Sequence, residues 1–222
     1  EDILHREGVE WTVAQEVEPL PEPAGLLAEL RAAYPGCRAE LELIGNCGPQ
    51  LASVMLGRSD PMAVLFPNGS MQLLEDMYQS SRVQQFYNSI MQRVCANLAA
   101  PLPPAAKLRV LEIGAGTGGT TSYILRALGQ RPMDYVYTDI SEVFLSHGRR
   151  KFASVAAMDF RLLDIAADPQ PQGFEPRAFD IVIAANVLHA TPDIRRTLAN
   201  VHGLLAPGGC LVLLEGVARQ RF

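Results

Sequence analysis
The chain has few cysteines, no long apolar run and no cluster of basic residues, and each shortage excludes something. Its four cysteines, Cys37, Cys47, Cys95 and Cys210, stand far apart with no C-x-x-C spacing, which argues against a zinc site and against a disulfide framework. Reduced thiols in a cytoplasmic protein are the plain expectation. No apolar stretch reaches the ~18 residues of a membrane span, and the opening EDILHREGVE has no signal-peptide pattern, so it reads as a piece of a longer chain. Nineteen basic against 24 acidic residues give a net charge of −5, so neither nucleic acid nor a membrane surface is an expected partner. A small molecule or another protein is, and no metal is expected.

What is present is a chain of 222 residues, 48% hydrophobic and 19% charged, long enough for one large domain with an appendage. Residues 1–25 end in VEPLPEPAG, whose prolines suit an extended linker or docking segment. Residues 26–104 read as a helical subdomain. LLAELRAAYPG is a short helix closed by Pro35 and Gly36. Between Ser70 and Ala99 the apolar residues, from Leu73 and Tyr78 through Val83, Phe86 and Ile90 to Leu98, recur at three and four, which predicts an amphipathic helix pair interrupted near Ser80 and Ser81. APLPPAAK then marks a domain boundary near Pro101 to Ala106.

From residue 105 onward short apolar runs alternate with helical stretches: RVLEIG, DYVYTDI, FRLLDIA, FDIVIAAN and CLVLLEG. Buried strands with intervening helices predict an α/β fold with a parallel sheet covered on both faces. The helix after the fourth strand is expected to start at Thr191 as N-cap and Pro192, with Ile194, Leu198, Val201 and Leu205 turned inward.

The first strand runs into IGAGTGGTT. Gly114, Gly116 and Gly118 fit G-x-G-x-G, while Gly114, Gly116 and Gly119 also fit the dinucleotide pattern G-x-G-x-x-G, so the glycines alone do not choose a ligand. Three carboxylates sharpen the choice. Glu112 precedes the glycines, Asp139 ends the second strand and Asp164 the third, and in an open α/β sheet all three fall at the carboxyl ends of adjacent strands, where ligands bind. Asp139 suits ribose hydroxyls and Asp164 an adenine amino group, while Glu112 favours an ammonium and repels a pyrophosphate. Each alone is equally a strand-end cap; together they indicate S-adenosylmethionine.

The stretches VLEIGAGTGGTT, YTDIS, LLDI, FDIVIAANVLHAT and LLAPGGCLVLLEG, in that order and spacing, resemble the C-methyltransferase domain of type I polyketide synthases. LFPNGS and MYQSSRVQQFYN resemble that family's helical lid. The resemblance implies a Rossmann-like class I methyltransferase core behind an N-terminal helical lid. It also implies further strands beyond LLEGVARQRF, with Gly114, Gly116, Gly118, Glu112, Asp139, Asp164 and Asn186 at the cofactor and Tyr78 and Tyr87 in the lid.

The same resemblance assigns catalysis to His189, in ANVLHAT, and Glu215, in LLEG. Neutral His189 would remove the acidic α-proton of a β-ketoacyl thioester and Glu215 would orient the imidazole, the carbanion then taking the methyl group. The implied partners are an acyl carrier protein, with its substrate on phosphopantetheine, and neighbouring synthase domains. Three other functions stay open: a silent methyltransferase scaffold in a megasynthase, an O- or N-methyltransferase of small molecules, and a dehydrogenase, the last disfavoured by Glu112.

Overall fold
The computed structural model describes residues 4–13, 21–156 and 158–216. The chain divides into two compact units, Glu1–Leu65 and Phe66–Phe222.

In the first unit, β1 (Leu4–Glu7) and β2 (Glu10–Val13) form an antiparallel hairpin turned at Gly8, where the sequence suggested a linker. Residues 14–20, which include the start of the proline-rich stretch with Pro19, lie outside the described residues, while Pro23 opens the first helix. Helices α1 (Pro23–Ala33), α2 (Arg38–Cys47), α3 (Leu51–Met55) and α4 (Pro61–Leu65) follow. The first matches the expected helix, which stops before Pro35.

The second unit opens with a 3₁₀ turn over Pro67–Gly69, followed by α5 (Gln72–Glu75), a π turn over Asp76–Ser80, and α6 (Arg82–Ala99). The predicted break is at Ser81, which is extended (φ −66°, ψ 146°) and accepts the Gln84 amide on Oγ at 3.3 Å, capping α6. The inner face of α6 follows its apolar periodicity only in part, at Met91 and Leu98. Asn88, Met91, Cys95 and Ala99 are buried, while Val83, Phe86 and Ile90 are exposed. Polar Asn88 turns inward because it bonds groups on both sides of it. Helix α6 packs on the α/β part, so the boundary expected near Pro101 to Ala106 falls inside this unit.

The remainder is β3 (Leu108–Ile113), α7 (Gly119–Leu128), β4 (Met133–Asp139), α8 (Glu142–Lys151), β5 (Met158–Leu162), β6 (Phe179–Ala185), α9 (Ile194–Leu204) and β7 (Leu205–Leu214). The five strands form one parallel sheet in the order β5-β4-β3-β6-β7. Alternate residues of β3 serve opposite cores: Leu108 and Val110 pack with Met91, Ile124 and Tyr135, while Leu111 and Ile113 pack with Phe174, Val182 and Leu204. Burying such a side chain contributes ~1.5–3 kcal/mol, which is why a strand apolar on both faces settles in the sheet's middle.

The start of α9 departs from expectation. Its N-cap is Asp193, whose Oδ1 accepts the amides of Arg195 and Arg196 at 2.9 and 3.1 Å. A carboxylate at a helix N-terminus outcompetes a hydroxyl for those donors. Thr191 instead donates to Leu188 O at 2.7 Å. The buried face is Thr197, Val201 and Leu204, with Ile194 and Leu198 exposed and Leu205 already in β7. Among the described residues, no helix is long and apolar enough to cross a membrane.

Candidate active site
The sheet runs outward on both sides of β3, to β4 and β5 on one side and to β6 and β7 on the other, so its carboxyl ends part at β3 and β6. A cavity of about 550 Å³ opens there.

The turn from β3 into α7 forms its floor. Gly114 (φ +61°), Gly116 (φ +59°) and Gly118 (φ +72°) are all left-handed, which L side chains rarely adopt. Gly114 and Gly116 line the cavity. The nearest atom to a Cβ built on Gly116 is Gly114 O at 4.0 Å, so that side stays open to a ligand. Gly118 is absent from the lining: a Cβ there would meet Phe152 at 2.6 Å. Gly119 does line the cavity, and its Cβ would lie 2.8 Å from Tyr78 O.

All three predicted carboxylates reach the cavity. Asp139 is buried, with Oδ2 accepting the Gly116 amide at 3.0 Å and Oδ1 the Ser141 amide at 2.9 Å. Burial raises its pKa, and the backbone amides oppose the rise. Asp164 is exposed, and Gln172, which sequence reasoning missed, holds its backbone by an amide bond at 2.8 Å and a carbonyl bond at 2.9 Å. Glu112 is 2% exposed and accepts the Tyr135 and Thr121 hydroxyls on Oε2 at 2.5 and 2.7 Å.

Burial pushes Glu112 up to about 7, against the lowering effect of those two hydroxyls. Since the folded value exceeds the ordinary 4.5, the stability Glu112 contributes is complete below that value and is lost as pH rises through about 7. Glu112→Gln is therefore expected to flatten the fall in Tm between about pH 5 and about pH 8, with a difference on the order of 3 kcal/mol at the alkaline end. Thermal scans of both proteins across that range check it. Parallel curves would show that Glu112 is already ionised at pH 5.

On the other side of the part, Asn186 (φ +56°) lines the cavity, with its amide bonded to Leu214 O at 2.7 Å. Glu215, just past β7, accepts the amides of Val187 and Leu188 on Oε1 at 2.9 and 2.6 Å, and its Oε2 lies 2.5 Å from His189 Nδ1. His189 sits in the short 3₁₀ turn Leu188–Ala190, beside the lining residues Val187, Ala190 and Thr191. Its side chain is 58% exposed and that of Glu215 13%. A carboxylate facing Nδ1 favours the tautomer with its proton on that nitrogen. The structure thus joins His189 to Glu215 across two strands. Thr191, whose O–H pins the turn, was missed in this role.

Of the two tyrosines expected in a lid, Tyr78 lines the cavity and Tyr87 does not; Tyr87 lies edge-on to Phe86 with centroids 5.5 Å apart.

A family model described as a methyltransferase domain matches residues 111–211. Polyketide synthase ThaG of Burkholderia thailandensis is 39% identical over 184 residues, covering 81% of this chain and 3% of that protein. The reducing polyketide synthase BOA6 of Botryotinia fuckeliana is 38% identical over 190 residues, covering 85% and 7%. Among solved structures, the CurJ carbon methyltransferase superposes with a TM-score of 0.89 at 41% identity, covering 98% of this chain and 58% of that one. The trans-methyltransferase CalH in complex with SAH gives 0.69 at 34%, covering 86% and 52%. The chain therefore spans a small part of the curated relatives and somewhat over half of the solved domains. By these matches, and by its parallel sheet and glycine turn, the chain belongs to the carbon-methyltransferase domains of polyketide synthases, with the class I S-adenosylmethionine-dependent fold.

Proposed function
We propose that this domain methylates the α-carbon of a β-ketoacyl thioester carried on the phosphopantetheine arm of an acyl carrier protein, with His189 as general base and Glu215 as its orienting carboxylate. The observation that carries this reading is the His189–Glu215 pair, Nδ1 to Oε2 at 2.5 Å, in a turn whose neighbouring residues Val187, Ala190 and Thr191 line the cavity.

The cavity's lining fits S-adenosylmethionine: the open side of Gly116 and the carboxylate acceptors, buried Asp139 and Glu112 and exposed Asp164. Gly114, Gly116, Asp139, Asp164, Glu112 and Asn186 are the residues that would hold it. When bound, S-adenosylmethionine supplies a methyl group on a positively charged sulfur. The protein's own part is proton transfer. A proton flanked by a ketone and a thioester is acidic enough for an imidazole, and His189 Nε2 takes it. The imidazolium that results is stabilised by Glu215, whose charge is fixed in place by two backbone amides. A positioned base contributes about 10²–10⁴-fold, and alignment of the reacting carbon supplies the rest.

The test is mass spectrometry of a β-ketoacyl carrier protein incubated with the domain and S-adenosylmethionine, beside a carrier bearing the β-hydroxyacyl chain. One methyl gained on the α-carbon of the keto substrate alone supports the reading. Methyl on oxygen would replace it with O-methylation, and no methyl despite cofactor binding would make the domain a scaffold. Asp139→Ala is expected to weaken S-adenosylhomocysteine binding by about 10-fold or more, because it removes a charged acceptor and frees the Gly116 amide it holds. Titration calorimetry measures this, and affinity within twofold of wild type would take Asp139 out of the binding set.

A further inference from the structure
The segment that covers the cavity is fastened by side chains that lie outside it. Leu74 and Tyr78, both cavity-lining, belong to a stretch that starts as α5 and ends in a π turn, where the Ser81 amide reaches Asp76 O at 3.0 Å. Single π turns recur at functional sites because they displace one residue from regular helical register. Lys151, at the end of α8, donates to Glu75 Oε1 at 2.6 Å, Gln79 Oε1 at 2.7 Å and Thr117 O at 2.9 Å. An ammonium has three donors, and all are used: one on α5, one on the π turn, one on the glycine loop.

His147, one helical turn earlier on α8, brings Nε2 within 3.1 Å of the same Glu75 oxygen. Burial pushes Glu75 up, but Lys151 and His147 outweigh it and hold the carboxyl below its ordinary value. On the other flank Asn88, 1% exposed, donates to Tyr78 O at 3.0 Å and accepts the Thr120 hydroxyl at 2.9 Å. Thr120 and Thr117 both line the cavity; Lys151 and Asn88 do not.

We infer that Lys151 and Asn88 are positioning residues, a clasp that holds the π turn bearing Tyr78 down on the glycine loop so that the cofactor is enclosed. The clasp rests on the cavity being the S-adenosylmethionine site. It also accounts for Gly119, which lets the Tyr78 backbone lie on the start of α7.

Two readouts on the full chain test it: hydrogen–deuterium exchange of residues 72–81 without cofactor, and calorimetric affinity for S-adenosylhomocysteine. In Lys151→Met and in Asn88→Ala, exchange of 72–81 is expected to quicken about 10-fold while that of β4 stays as in wild type. Affinity is expected to fall about 10-fold, with the loss in turnover falling on KM for S-adenosylmethionine rather than on kcat. Exchange and affinity both within twofold of wild type in the two variants would overturn the clasp. Should Lys151→Met quicken exchange in β4 as well, Gln79→Leu, which removes one acceptor, decides by the same criteria. If wild-type protein binds no S-adenosylhomocysteine, the cofactor assignment fails, and exchange at 72–81 alone decides whether the clasp exists.

Discussion

His189→Ala is expected to lose about 10²–10⁴-fold in kcat while binding S-adenosylhomocysteine within about twofold of wild type. The asymmetry follows from position. His189 is not among the residues lining the cavity, and its side chain is 58% exposed, so its removal takes nothing from the cofactor's surroundings. What it removes is a nitrogen lone pair with a fixed direction. Glu215→Gln probes the same step differently. A glutamine still offers one oxygen to the amides of Val187 and Leu188, which keeps the turn, but its NH₂ group cannot accept the Nδ1 proton. It is expected to cost less than the histidine, about 10–10²-fold in kcat. Single-turnover methylation of a β-ketoacyl carrier measures both. Wild-type turnover in His189→Ala would sink the assignment of this residue as base.

The second large effect is expected from one added methyl group. In Gly114→Ala the new Cβ would lie 2.5 and 2.9 Å from the two γ-carbons of Val187 and 3.3 Å from its Cβ, so Val187 must shift or turn to admit it. The left-handed backbone at φ +61° adds its own penalty, about 1–2 kcal/mol for a non-glycine residue, beside about 1–3 kcal/mol for overpacking. Val187 is also the residue whose amide Glu215 holds, so relieving the contact moves the turn that carries His189. Stability is expected to fall by about 2–5 kcal/mol, and kcat by about 10-fold or more. Denaturant unfolding and turnover measure these. Adding Val187→Ala should restore the packing share and leave the backbone share. A single variant matching wild type in both would mean that the turn yields without consequence.

How much of this was legible in the sequence depends on how local the determinant is. The strand, glycine turn and helix over 108–128 are written in contiguous residues, as is the break at Ser81, whose hydroxyl caps its own helix. The pairing of His189 with Glu215 needed one further inference, that the strands they follow are neighbours, and resemblance supplied it. What was not legible turns on contacts between segments distant in sequence. The inner face of α6 is chosen by Asn88, which bonds Tyr78 ten residues back and Thr120 thirty-two ahead, against the pull of a clear apolar stripe. The start of α9 at Asp193 rather than Thr191 was a contest between two good caps, settled by the Leu188 carbonyl that engages the threonine. Gly118 and Gly116 look alike in the motif, yet one backs onto Phe152 and the other faces the cavity. Tyr87 and Tyr78 share an amphipathic stripe, and only a three-dimensional neighbour separates them.

The strand order has a consequence for how such a site can change. Glu112, Asp139 and Asp164 come from β3, from the end of β4 and from just past β5, all on one flank of the sheet; His189 and Glu215 come from beyond the ends of β6 and β7 on the other. On the roles proposed above, methyl donor and catalytic base would be served mainly by separate half-sheets that meet along a seam, where Gly114 lies against Val187. On those roles, His189 and Glu215, which lie outside the cavity lining, could be exchanged with little disturbance to the grip on the methyl donor, provided the seam keeps its glycine. An architecture so divided would let the choice of atom to be methylated be adjusted independently of the reagent that delivers the methyl.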